Sequence, residues 1–200
     1  PMRRPRHAAD LCLGSEVIER LIPHRPPFLL VDQIDAFAQG PKAALWARKL
    51  VSANDPVFAG HFPGLRLWPG VYTIEGLGQT CNLLYAVLEV LRVAQEVGLE
   101  DPLEVLRNLH RGRRMHPGFD PALAARFGEL MGHASVAGVS AAVDVKLTRS
   151  VFAGDVLMFH VQLEHVVGEM ARFAVDAAVE GRPVARGTLT SHRGTAGLPT

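Results

Sequence analysis

Cysteine is nearly absent, with only Cys12 and Cys81 in 200 residues. Two thiols so far apart make neither a disulfide framework nor a metal-ligand spacing, which excludes a cysteine-stapled secreted module and fits a reducing compartment. Neither sign of charge dominates: 21 Lys and Arg against 20 Asp and Glu leave a formal net charge of +1. The molecule as a whole therefore has no field to draw in nucleic acid. A long run of purely apolar residues is missing too. The most apolar stretch, residues 71–88, contains Glu75, Gln79, Asn82 and two glycines, so a bilayer span is not expected. The basic start Pro1-Met2-Arg3-Arg4-Pro5-Arg6 has no apolar core behind it, unlike a signal peptide, and Pro1 ahead of Met2 reads as a scar of tag removal. The expectation is a soluble, cytoplasmic protein that binds neither nucleic acid nor membrane.

What the sequence does have is a 48% hydrophobic content over a length suited to one globular domain. Residues 1–12 read as a disordered tail and 13–195 as a single domain. Ser15 is placed to cap a short helix over residues 16–21, stopped by Pro23 and the Pro26-Pro27 pair. An extended run follows over 28–37, and a second strand over 43–51 after the Gly40-Pro41 turn. Residues 52–70 are loop. A helix from 71 to about 97 comes next, apolar on nearly every face and ended by Gly98. Residues 141–147, 156–165, 171–180 and 183–191 then alternate as strands, with turns at Gly154-Asp155, Gly168-Glu169 and Glu180-Gly181-Arg182. This pattern predicts a meander, and the whole reads as an α+β arrangement, an antiparallel sheet wrapped round one long central helix. Residues 99–135, rich in Arg, His, Gly and Pro, form an inserted segment with short helices over 103–109 and 122–131.

The chemistry concentrates between Gly60 and Gln79. His61 sits in a loop locked by Gly60, Pro63 and Gly64, and a helix starts at Pro69-Gly70. Glu75 is the only charged residue in 71–88. Burial would disfavour its carboxylate form and suit it to donate a proton, while a neutral imidazole nearby could accept one. The N–H groups of Gly70 and Val71, at a helix N-terminus, could receive an enolate-like oxygen. Read from the residues alone, His61 could equally be a structural loop histidine, and Glu75 an ion-pair partner or a filler of a packing gap. A metal site built from His24, His61 and the histidines at 110 and 116 lacks ligand spacing with acidic or cysteine partners.

Three motifs in order resemble the 3-hydroxyacyl-acyl-carrier-protein dehydratases of bacterial fatty-acid synthesis, the FabZ-like family. Gly60-His61-Phe62-Pro63-Gly64 through Pro69-Gly70-Val71 to Glu75 and Gln79 is similar to that family's His-Phe-Pro-Gly loop and Glu-x-x-x-Gln helix. Leu21-Ile22-Pro23-His24-Arg25-Pro26-Pro27-Phe28-Leu29-Leu30-Val31-Asp32 resembles an earlier segment of the family, and Lys146 to Leu157 its Lys-to-Pro-Gly-Asp turn. The resemblance implies a hotdog fold working as a homodimer or higher oligomer, with the histidine of one subunit facing the glutamate of the other. It implies that His61 removes the proton next to the thioester carbonyl, that Glu75 protonates the departing 3-hydroxyl, and that Gly70 polarises the carbonyl. No metal or soluble cofactor is implied, and the substrate arrives on the phosphopantetheine arm of an acyl carrier protein. Phe62, Pro63, Gly64, Trp68 and Gln79 are the expected substrate-binding residues. Glu rather than Asp on the helix points to the branch that dehydrates without isomerising.

The chain also departs from the family pattern. Leu65-Arg66-Leu67-Trp68 stands where Asn-Pro-Ile-Met is usual, Ala153 replaces a proline, and Gly76 and Gly78 replace alanines at about 1 kcal/mol each in helix propensity. With the insert, these suggest a specialised relative in polyketide or other secondary acyl metabolism rather than housekeeping fatty-acid synthesis. Arg111, Arg113 and Arg114 in the insert are candidates for docking the carrier, against the plainer reading of a solvated loop. Two rival functions are a hotdog thioesterase, which does not need the histidine loop, and a non-catalytic acyl-binding module, in which the pair would have decayed.

Overall fold

The computed structural model describes residues 4–132 and 137–194; expectations touching residues 1–3, 133–135 and 195 lie outside them. The described elements are β1 (Ala9–Gly14), α1 (Ser15–Leu21), β2 (Gln33–Ala38), β3 (Ala44–Leu50), α2 (Gly70–Glu96), α3 (Pro102–Arg113), α4 (Pro121–Gly132), β4 (Ala137–Leu147), β5 (Val156–Val167), β6 (Met170–Val179) and β7 (Arg182–Gly194). The strands make one antiparallel sheet in the order β1-β2-β3-β5-β6-β7-β4. Inward-facing residues of alternating strands, among them Leu45, Phe159, Val161, Phe173 and Val175, are fully buried, and α2 packs along β3 to β7. The expected α+β arrangement of a sheet wrapped on a central helix is present.

Two tight turns account for most of the register. Gly168 has φ +58°, and the β6–β7 hairpin turns on Glu180 and Gly181 at φ +50° and +74°, the doubly positive geometry whose twist matches antiparallel strands. The C-terminal strands are not one simple meander, however. β5, β6 and β7 follow one another, but β4 pairs with β7 at the far edge while β5 pairs with β3. The link 148–155 therefore crosses the sheet end; the expected turn is present, closed by Asp155 N donating to Phe152 O at 3.1 Å with Gly154 at φ +101°, but it leads into β5 and does not join β4 to β5 as a hairpin. The link is stitched on the way by Thr148 N donating to Val184 O, Trp68 N to Val151 O and Ala153 N to Arg66 O. Strand order of this kind is a long-range choice that alternation alone cannot express.

The N-terminus also differs from expectation. The tail expected over residues 1–12 gives way to a strand at Ala9, because Leu11 and Leu13 alternate onto the core at 4% and 0% exposure and pair β1 with β2. Gly14, not Ser15, is the N-cap of α1, and no side-chain cap bond forms. Residues 28–32 are not strand; they lie against α2, where Gln79 takes their backbone groups.

Every residue of α2 from Gln79 to Val87 is buried. A sheet can cover only one side of a helix, so another layer must cover the rest. That layer includes the insert: α3 and α4 pack on α2, and α3 also packs on β1 and α1. Val105, Leu106, Leu109 and Phe127 are buried there. Asp101 caps α3 by accepting from Leu103 N and Glu104 N. Gly76 is a close-approach residue: a side-chain carbon there would collide with the ring of Phe159, so its helix-propensity cost is offset by contact between α2 and β5.

Candidate active site

The loop before α2 fixes His61. Gly64 takes φ +83°, which needs no side chain, and Phe62 and Leu65 exchange backbone hydrogen bonds of 2.8 and 2.9 Å across it. His61 Nδ1 lies 2.8 Å from Leu67 O. A carbonyl can only accept, so Nδ1 carries a hydrogen, and in the neutral ring Nε2 is then the nitrogen with the lone pair. The ring stacks on Phe62 at 4.2 Å and 25°. It opens into a cavity of about 520 Å³ whose walls include Trp68, Gly70, Thr73, Leu147, Arg149 and Val151.

Gly70 belongs in that cavity for two reasons. A side chain there would strike Leu147, so glycine lets β4 approach the start of α2. Hydrogen bonds of the first turn begin with Tyr72 N to Pro69 O at 3.0 Å, so the N–H groups of Gly70 and Val71 precede the helical ladder. Val71 itself points away and is 66% exposed. Trp68 is 3% exposed, packed on Phe58 and Tyr72, and walls the cavity from within the core rather than lying loose at its mouth.

Glu75 lies elsewhere on the helix. At about 100° per residue it is turned roughly 140–160° from Gly70 and Thr73, and no hydrogen bond or ion pair joins it to His61 among the described residues. The side chain is 33% exposed in the single chain, so the burial expected of it is not reached by one chain. Glu75 Oε1 accepts from Gln79 Nε2 at 3.0 Å and stands 3.5 Å from His24 Nε2. Burial lowers the pKa of His24, an effect Glu75 opposes and Arg25 reinforces.

The expected substrate contacts divide. Phe62 and Gly64 line a second opening of about 770 Å³ with Arg66 and Phe152, and Pro63 is exposed beside them. Gln79, expected among the substrate contacts, is fully buried in the single chain, and its amide is bonded to Glu75, Phe28 O and Leu30 N. Arg111 pairs with Glu104, which leaves Arg113 and Arg114 exposed without ion pairs among the described residues. Sequence reasoning missed Arg149, Thr148 and Ser150 beside His61, although they lie within the Lys146–Leu157 motif, and it gave His24 no place beside Glu75. Among the described residues no cluster of three or more His, Cys, Asp or Glu could hold a metal ion, and no helix is long and apolar enough to cross a membrane.

One antiparallel sheet wrapped on a long central helix, with a histidine loop at that helix's N-terminus, makes this a hotdog-fold protein. A chain of the dehydratase heterocomplex ApeI:P from Xenorhabdus doucetiae has the same fold, at a TM-score of 0.55 and 17% identity over 89% of this chain and 91% of that one. Residues 22–102 match the FabA-like domain, a segment that holds His24, His61, Gly70, Glu75 and Gln79 but not the cavity wall from Leu147 to Val151. The chain is 49% identical over 72 residues to the 3-hydroxyacyl-[acyl-carrier-protein] dehydratase FabZ of Anaeromyxobacter sp. (strain Fw109-5), covering 36% of this chain and 44% of that protein. To FabZ of Neisseria meningitidis serogroup C it is 50% identical over 80 residues, 40% of this chain and 52% of the relative. The chain thus spans about half the length of the curated relatives it matches.

Proposed function

We propose that the protein is a hydro-lyase that removes water from a 3-hydroxyacyl thioester carried by an acyl carrier protein, giving the trans-2-enoyl thioester. The observation that carries this reading is the bond from His61 Nδ1 to Leu67 O at 2.8 Å, which in the neutral ring leaves Nε2 as the accepting nitrogen, in the same cavity that Gly70 lines. His61 takes the proton from the carbon beside the carbonyl, and its electron pair moves into the carbonyl, which Gly70 N–H stabilises as an enolate. The enolate collapses, the double bond forms, and the 3-hydroxyl leaves as Glu75 protonates it. Return of the proton from His61 to Glu75 through water closes the cycle.

His61, in the loop before α2, opens beside Gly70 and Thr73, while Glu75 lies on another face of that helix, so on this reading a complete site needs two chains. Support for that comes from β4, an edge strand paired only with β7. Val139, Val143 and Leu147 on it are 69%, 52% and 43% exposed. An apolar strand with an open hydrogen-bonding edge is costly to leave bare, and it runs along the α2 flank beside Gly78 and Asn82. A second copy there covers the strand and completes each site. The departures at Leu65–Trp68 and the insert favour a substrate of secondary acyl or polyketide metabolism. Mass spectrometry of carrier-bound 3-hydroxyacyl substrates tests the reaction. Loss of one water supports it; a free acid would instead identify a thioesterase, and an unchanged substrate a binding module.

A further inference from the structure

His24 sits in a segment that the sequence makes stiff, with Pro23 before it and Arg25-Pro26-Pro27 after it. Arg25 Nη1 donates to Ile22 O at 2.9 Å and to His24 O at 2.7 Å, tying the loop to itself. This aims the imidazole at α2. Its Nε2 is 3.5 Å from Glu75 Oε1, while its Nδ1 is buried with no partner. Glu75 is thus the one polar group that the ring addresses among the described residues.

The geometry at the carboxyl is one-sided. Gln79 Nε2 also donates to Oε1, at 3.0 Å, and Gln79 is itself anchored at Phe28 O and Leu30 N, both at 2.8 Å. Two nitrogens therefore converge on one oxygen, Gln79 Nε2 by a hydrogen bond and His24 Nε2 at 3.5 Å, and no hydrogen bond or ion pair reaches Oε2 among the described residues. We infer that His24 is a positioning residue for Glu75: with Gln79 it occupies Oε1, so the transferable proton rides on Oε2, and it holds the carboxylate once that proton has left. This rests on Glu75 being the general acid of the proposed dehydration.

The charge state of the ring matters to the idea. Burial outweighs the attraction of Glu75, and Arg25 adds to the lowering, which favours the neutral ring; with Nδ1 unpartnered, a hydrogen on Nε2 is the one that can face Glu75. A neutral donor can hold Oε1 whether or not Oε2 carries its proton. An imidazolium would instead trap Glu75 as a carboxylate and remove the acid. The plain alternative is that His24 only fills space behind the proline loop, in which case a ring of similar size would serve as well.

Two measurements on the full chain test this. In the first, NMR follows the His24 imidazole through a pH titration in the wild type and in Glu75→Gln. Because the carboxylate raises the His24 midpoint, its removal should lower that midpoint; an unchanged midpoint overturns the contact. In the second, His24→Phe and His24→Asn are assayed on a carrier-bound 3-hydroxyacyl substrate after circular dichroism confirms folding. His24→Phe should lower kcat by about tenfold or more with KM little changed, as loss of orientation does, and His24→Asn, which keeps an N–H donor, should recover part of it. Equal kcat in the wild type and the Phe variant, or equal losses in the Phe and Asn variants, would overturn the positioning role. A wild type that releases no water would remove the dehydratase reading itself, and the positioning role with it, while the titration would still decide the contact.

Discussion

At the scale of single residues, the account turns on two proton-handling groups that neighbouring atoms have already oriented. His61→Ala or Glu75→Gln should lower kcat by at least ~100-fold, the usual range for general acid–base catalysis, with the circular dichroism spectrum unchanged; near-normal turnover of Glu75→Gln would remove the mechanism. Trp68 makes a second case. It fills one wall of the His61 cavity from inside the core, where methionine would leave space, so Trp68→Met should widen the range of acyl chains turned over in a competition assay. An unchanged profile would mean that the acyl chain does not lie along this wall. His61 and Glu75 could be picked out in the sequence because a locked histidine loop and a lone helical carboxylate are local patterns, given weight by the resemblance of three motifs. The partners of Gln79 were not legible because they depend on which way its side chain turns across 51 residues of separation, toward Phe28 O. No spacing rule reports that.

At the scale of elements, the long helix and most strands were legible from periodicity, and the place of β4 was not. The helix ends where Gly98 takes φ +75°, as the sequence suggests. β4 alternates like its neighbours, and only the crossing of 148–155 over the sheet end decides that it pairs with β7. The insert is more than a loop, since α3 buries Val105 and Leu106 completely. Its outer end carries Arg113 and Arg114, near α1, where His110 Nδ1 lies 3.8 Å from Glu16 Oε1. A carrier protein is generally acidic, and exposed arginines would speed its approach in a salt-sensitive way. Replacing Arg113 and Arg114 by Ser, and sparing Arg111 because it holds Glu104, should raise KM several-fold for carrier-bound substrate and leave a small thioester mimic unaffected. Equal effects on both substrates would assign this end of α3 to structure alone. His110 also gives the element a pH dependence. Burial lowers its pKa, Arg114 adds to the lowering and Glu16 opposes it. The folded value thus lies below the ordinary 6.5, so the stability the neutral ring contributes is complete above that pH and is lost as pH falls through the folded value. The melting temperature should drop between pH 7 and 5, and His110→Gln should flatten that drop; identical curves would contradict the assignment.

At the scale of the whole molecule, one chain holds the proposed base and the proposed acid in places that do not meet. His61 faces the Gly70–Thr73 side of α2, Glu75 the opposite flank, and the bare edge strand β4 runs between them. On the proposed reading, an isologous pair of chains would give two sites, each with His61 from one subunit and Glu75 from the other. The central claim is therefore a dehydratase whose active site exists only in the assembly. The direct measurement mixes His61→Ala subunits with Glu75→Gln subunits, verifies exchange by native mass spectrometry, and follows water loss from a carrier-bound 3-hydroxyacyl substrate. Each variant alone should be nearly inactive, and random exchange should restore about a quarter of wild-type activity, because half the dimers then hold one intact site. Verified heterodimers with no more activity than either parent would contradict the account.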